Sequence, residues 1–413
     1  MSEGREKILH MLQAGIITEE DAKRLLEALG ESVELMAEEA PPETSQAGTG
    51  VPSLTLYPEF PEEPELPEVP ETPSAPEVSP VPPAPPAPPV PPTQFDVDEE
   101  EEIGITIQES MDGRYPEIAK ELRSLRVRWI SGSVQVFRGE DEELTIRETA
   151  NRPLSEGEKT VLSLRDGRLT VKWGKGPKWR LFQRPLEKHL EIVLPKSITL
   201  ESLDIGSVSA SVSLRGLNGD RLNAGTVSGG IFAENLCGHH IGLSAISGGI
   251  DGRGLNAEQL ELTTVSGKLT GDFSAGAAKL STTSGALAAQ GTAREALTLS
   301  SVSGSLRFQG TAGENFRVST TSGSQYLTLG EMPRIITCNS VSGKIDLRLP
   351  DMQMSHLQEG FSATYSTVSG RFSSDFPVTG KQEKRSGSVL YGQGKTKIEF
   401  STTSGSMHIG RLS

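Results

Sequence analysis

The chain has 413 residues and a formal charge of −15; only 5% of it is aromatic, and it holds 44 glycines and 27 prolines. That is too few large apolar side chains for a conventional globular enzyme of this length, and it suits stacked strands with tight turns joined to a disordered segment. No apolar run approaches the roughly 20 residues that a membrane-spanning helix needs.

The charge is unevenly placed. Residues 31–113 carry 20 acidic side chains and no Lys or Arg, so the body that follows is net basic. The N-terminus shows no apolar leader core and no cleavage signal, which predicts a cytoplasmic protein, with association to the cell envelope left open.

Residues 1–30 read as a helical hairpin. Ile8, Leu9 and Leu12 form an apolar stripe, and Gly15 sits where a helix C-cap belongs. Thr18 and Asp21 resemble a capping box, after which Ala22, Leu25, Leu26 and Leu29 supply a second buried face. Thirty residues bury too little apolar surface to stand alone, so Ile8, Leu12, Leu25, Leu26 and Leu29 are candidate contact residues for a protein partner or a second copy. The run EKILHMLQAGIITEEDAKRLLEAL resembles the SHOCT-like helical module of bacterial proteins. That resemblance implies oligomerisation or partner binding.

Residues 31–114 form an acidic, Pro-rich linker, with 19 prolines between 41 and 92. Proline fixes φ and removes donors, which favours polyproline II and disorder. A solvated spacer is the plainer reading, and a PxxP ligand for a groove-binding partner is the alternative.

From 115 to 205 the segments LRSLRVRWI, SVQVFRG, LTIRETA, RLTVKW and HLEIVLP alternate apolar and polar residues. They predict strands that cap the N-terminal end of a stack. From 206 to 413 the chain repeats a word: TVSGG, AISGG, TVSGK, TTSGA, SVSGS, TTSGS, SVSGK, TVSGR, TTSGS. The turn glycines lie at 229, 248, 267, 285, 304, 323, 343, 370 and 405. A period near 19 held over six coils predicts a β-solenoid, a mainly β fold preceded by the hairpin and the linker. Insertions at 351–360 and 376–396 lengthen the last two spacings and are expected to close the far end or project a loop.

Counting from each turn glycine places Ile231, Ile250, Leu269, Leu287, Leu306 and Ile345 at one inward position. Ile241, Leu260, Leu297 and Phe316 share a second position, and Leu243, Leu262, Leu299 and Val318 a third. The glycine is expected to supply φ > 0 at a corner, with the serine hydroxyl bonding nearby backbone. A nucleophile elbow needs one privileged serine, and here every coil has one.

This succession of T-V-S-G and T-T-S-G coils over residues 120–413 resembles the bacterial DUF4097 β-strand repeat family of candidate adhesins. Joined to a SHOCT-like N-terminus, it is similar to regulators of envelope stress in Gram-positive bacteria. The resemblance implies no catalytic residues, and the long linker departs from it.

No catalytic, cofactor or metal residue is expected. Cys237-Gly-His239-His240 lacks zinc-ligand spacing, and Cys237 and Cys338, about five coils apart, are expected to be buried free thiols. One charged stretch stands out. Residues 165–188 hold eight basic and two acidic side chains, and the candidate contacts there are Lys172, Trp173, Lys175, Lys178, Trp179 and Arg180. They suit an anionic membrane surface or nucleic-acid stacking, a solvated hairpin packed on the first coil, or attraction to the acidic linker. The Ser/Thr ladders would offer a flat array to ice or glycan if they face outward.

Together these features predict a non-enzymatic interaction scaffold, in envelope-stress signalling by resemblance. A surface adhesin or lipid- or glycan-binding protein is the alternative. An enzyme or nucleic-acid binder is disfavoured.

Overall fold

Alternation along each coil decides which side chains turn inward, and stacking decides what they meet. The computed structural model describes residues 105–107, 112–174, 185–350 and 360–412, all within the unit Ser74–Ser413. The hairpin at 1–30, including Ile8, Leu12, Leu25, Leu26 and Leu29, and the linker up to residue 104 lie outside the described residues. The last part of the segment expected to be disordered linker is strand instead: Ile105–Ile107 pairs antiparallel with Val161–Arg165, and Asp112–Arg114 with Thr145–Ala150.

Each coil contributes one strand before the Ser-Gly word and one after it, and each strand pairs in parallel with its equivalent in the next coil. Asn218–Thr226 pairs with Cys237–Ala245 in a first sheet, and Ser211–Arg215 pairs with Ile231–Glu234 in a second. Mid-stack, Ile250–Thr264, Leu269–Thr282 and Leu287–Ser303 run through both sheets as single bent strands. Ile231, Ile250, Leu269, Leu287 and Leu306 are in register and buried, as are Leu243, Leu262, Leu280, Leu299 and Val318. The two ladders belong to one core between the sheets. No single coil closes that core, so stability is shared between neighbours. Gln325 interrupts the first ladder; it is fully buried and its amide donates to the Asn339 carbonyl at 2.7 Å.

The corner is built differently from the sequence expectation. Among the word glycines only Gly343, at φ 144°, lies in the left-handed region. The others are glycine because coils approach too closely for a side chain. A Cβ on Gly248 would lie 1.7 Å from the Gly229 carbonyl oxygen, and one on Gly267 would lie 2.0 Å from that of Gly248. The capping hydroxyl also belongs to the first residue of the word, not to the serine. Thr226 Oγ1 accepts from the Gly229 N–H at 3.0 Å, and Thr264 and Thr282 do the same for Gly267 and Gly285. These threonines are buried, whereas Ser228, Ser247, Ser266 and Ser284 point to solvent.

Both ends of the stack depart from chain order. At one end Arg168–Lys172 and Lys188–Leu194 form the terminal coil. They stack on Ser124–Trp129 and Gly132–Arg138, which in turn meet Leu200–Ser207 and Ser211–Arg215. At the other end Thr396–Ser404 and Ser406–Arg411 slot between Ile335–Leu349 and the terminal coil Gly360–Ser374.

Antiparallel strands cover the terminal coils. Thr145–Ala150 pairs with Lys188–Leu194, and Val161–Arg165 pairs with Arg168–Lys172. The hairpin Thr379–Gln382/Ser386–Gly392 closes Gly360–Thr367. Such strands pair backbone groups that an open edge would expose.

Candidate binding face

In the second sheet the inward positions are apolar, so function has room only on the outward ones. Ile231 and Ala233 point inward, leaving Phe232 and Glu234 outside. Parallel register lines up Ser213, Phe232, Asp251 and Thr270 in one outward row, and Arg215, Glu234 and Arg253 in the next. The guanidinium carbons of Arg215 and Arg253 each lie 5.4 Å from the Phe232 ring centre. Arg253 Nη2 bonds Asp251 Oδ2 at 2.7 Å, and Thr270 donates to Asp251 Oδ1 at 3.0 Å. The Arg253 hydrogen bond, ahead of the Thr270 bond, holds the Asp251 carboxyl below the usual carboxylate range. Further along, Arg307 sits 5.5 Å from the Tyr326 ring, and Lys344 bonds Asp346 at 2.8 Å.

Among the described residues, three cavities follow this face. The first, about 530 Å³, lies over Gly230 and Gly249 and is bordered by Gln135, Ser213, Phe232 and Thr270. The second, about 360 Å³, shares Asp251 and Thr270 with the first and reaches Gln290, Arg307 and Gln309. The third, about 290 Å³, shares Arg307 and Gln309 and continues to Tyr326 and Arg348. Shared lining makes them one trough crossing the coils. Repeat counting did not find it, because the ladders report inward positions only. The usable signal was the second glycine of TVSGG and AISGG, which the other words replace with Lys, Ala, Ser or Arg.

The basic aromatic stretch is only partly surface. Trp173 is half-buried and meets Trp129 edge-on, with ring centres 5.0 Å apart. Lys188, expected among the surface charges, is fully buried. Its Nζ lies 2.6 Å from Glu148 Oε1, donates to the Glu158 carbonyl at 2.8 Å, and sits 4.3 Å from the Trp173 ring centre. Burial lowers its pKa, and the Glu148 carboxylate opposes that shift. Glu158 is buried beside it, bonded by both Arg152 Nη atoms at 2.6 and 3.0 Å and by the Ser155 N–H at 2.9 Å. The cluster fastens the antiparallel cover to the end coil. Lys172 is half-buried in its strand, while Lys175, Lys178, Trp179 and Arg180 lie outside the described residues.

Two Ser–His pairs lie at opposite ends of the stack. Ser373 Oγ lies 3.0 Å from His408 Nδ1, with Asp375 Oδ2 at 3.5 Å from Nε2. The same Ser–His pairing recurs at the opposite end as Ser133–His189, 2.9 Å apart. Both are cross-strand neighbours in register, which accounts for them without a nucleophile.

The cysteines differ from each other and from the expected pair of buried thiols. Cys338 is buried and its thiol pKa is raised by burial, whereas Cys237 is exposed near the start of its strand. The native protein should therefore consume one equivalent of an aromatic disulfide reagent, and a second only in denaturant. Two native equivalents would overturn this assignment.

A parallel β-solenoid of short coils with covered ends is the class this fold defines. The Toastrack DUF4097 profile matches residues 123–410, and a SHOCT-like domain profile matches residues 3–32. The chain belongs to the Toastrack DUF4097 family.

Among solved structures it is similar to a candidate adhesin of Bacteroides fragilis at 15% identity, covering 54% of this chain and 96% of that one, with a TM-score of 0.33. A candidate cell adhesion protein of Clostridium sporogenes is 10% identical over 73% of this chain and 100% of that one, TM-score 0.19. A candidate lipid-binding protein of Parabacteroides distasonis is 14% identical over 75% and 96%, TM-score 0.33. No curated protein matches the chain. No helix among the described residues is long and apolar enough to cross a membrane.

Proposed function

We propose that the protein is a non-enzymatic binding scaffold whose ligand lies along the outward face of the second sheet. The observation that carries this reading is the continuity of the trough, in which successive cavities share Asp251, Thr270, Arg307 and Gln309. A trough that crosses many coils suits an extended ligand better than a small one held in a single pocket. The hairpin at 1–30 supplies self-association or a partner contact, and the acidic linker follows it in the sequence before the solenoid. Envelope-stress signalling fits that arrangement: one module binds at the cell envelope while the other joins copies or a signalling partner.

Sedimentation with cell envelopes isolated from the source bacterium tests the reading. Phe232→Ala/Arg307→Ala/Tyr326→Ala should lower the bound fraction at least tenfold. The chain lacking residues 1–30 should keep binding but lose its self-associated mass. Full binding by the triple variant would remove the trough from the account.

A further inference from the structure

We propose that the trough takes an uncharged polysaccharide laid along the stack and seated over Gly230, a proposal that rests on the binding-face reading. Gly230 is the first reason. Its nearest neighbour to an added Cβ is the Gly249 carbonyl oxygen at 3.6 Å, an ordinary contact, and its φ is not left-handed. Glycine there is not demanded by packing, unlike Gly229 beside it, whose Cβ would lie 1.9 Å from the Ala210 carbonyl oxygen. Gly249 holds the same backbone position in the next coil, and the coils after it carry Lys268, Ala286, Ser305, Ser324 and Lys344 there. The missing side chain opens the floor of the 530 Å³ cavity.

Charge is the second reason. Asp251 is held by Arg253, Asp346 by Lys344, and Glu234 lies 3.9 Å from Arg215. A polyanion would have to compete with each of these carboxylates for its cation, which leaves it only Lys268 and Arg307 as trough cations with no carboxylate bonded to them among the described residues. A hydroxyl ligand needs no such exchange. Paired Asp and Arg groups keep spare lone pairs and N–H groups, and vicinal hydroxyls bond both at once. Gln135, Ser213, Gln290 and Gln309 add groups that both donate and accept along the same line, and the Thr270 hydroxyl, whose proton is held by Asp251, adds an acceptor. Tyr326, 38% exposed, gives an apolar ring against which the C–H face of a sugar packs.

Spacing is the third reason. Adjacent strands lie about 4.8 Å apart, close to the length of one sugar ring in an extended chain, so each ring meets a fresh row of side chains.

Calorimetry on the full chain decides the matter. The probes are uncharged hexasaccharides of glucose, N-acetylglucosamine, mannose and galactose, together with heparin, polyphosphate and phosphatidylglycerol vesicles. At least one hexasaccharide should bind, and Gly230→Leu should weaken it tenfold or more with an unchanged unfolding midpoint. Binding confined to the anionic probes and sensitive to Gly230→Leu would overturn the sugar assignment but keep the trough. Saccharide binding indifferent to Gly230→Leu, Arg253→Ala and Tyr326→Ala would overturn the trough itself. Failure of every hexasaccharide to bind would overturn the proposal.

Discussion

Replacing Lys188 with methionine is expected to remove about 3–5 kcal/mol of stability, the range for breaking a buried ion pair from one side. The ammonium is fully buried and meets Glu148, the Glu158 carbonyl and two tryptophan rings. Without it the Glu148 carboxylate, 3% exposed at the side chain, stays buried with, among the described residues, only the Thr160 N–H and hydroxyl as donors. The loss should come from the stranded charge rather than from the missing attraction. Lys188→Met/Glu148→Leu should therefore recover most of it, because exchanging a whole buried pair for apolar groups is often neutral. Urea unfolding followed by tryptophan fluorescence measures both, since Trp129 and Trp173 border the site. A single variant within about 1 kcal/mol of wild type would contradict the argument.

The neighbouring Glu158 adds a pH dependence. Arg152 holds its folded carboxyl well below the ordinary 4.5, with the Ser155 N–H helping. A carboxyl with a depressed folded pKa stabilises above its unfolded value. That contribution is present above about pH 4.5 and is lost as the pH falls below it.

A second large effect is expected at adjacent glycines that look alike in the sequence. Gly229→Ala should destabilise by about 3 kcal/mol, the upper end of the usual overpacking cost, since the Cβ would lie 1.9 Å from the Ala210 carbonyl oxygen and the coils must part. Gly230→Ala should stay within about 1 kcal/mol of wild type, because its Cβ meets nothing closer than 3.6 Å. The two proteins differ by one position in a Gly-Gly pair, so composition and helix or strand preference cancel. Equal midpoints in thermal unfolding would show that the coils yield to a methyl group, and that close approach is not why the word ends in glycine.

The ends of the stack show where sequence patterns stop being informative. The words at 340–344, 367–371 and 402–406 are nearly interchangeable, so local pattern does not say which coil follows Gly343. In the structure Ile345 stacks on Met407, and Arg371 lies one coil further out beside Ser406. Chain order would have put the 367–371 word next. The antiparallel hairpin after residue 378 pairs with Gly360–Thr367 and leaves that coil outermost.

The Ser-Gly period by itself determined the coil, the inward ladders and their register. A repeated coil must bury the same positions each time, and strand alternation leaves no second choice. Only the tertiary structure decided that the word glycine serves close approach, that its first residue caps the corner, that Lys188 turns inward, and that the trough crosses the second sheet. Each of these depends on atoms brought in from a neighbouring coil or a distant strand, and a repeat read along one chain carries no record of what stacks beside it.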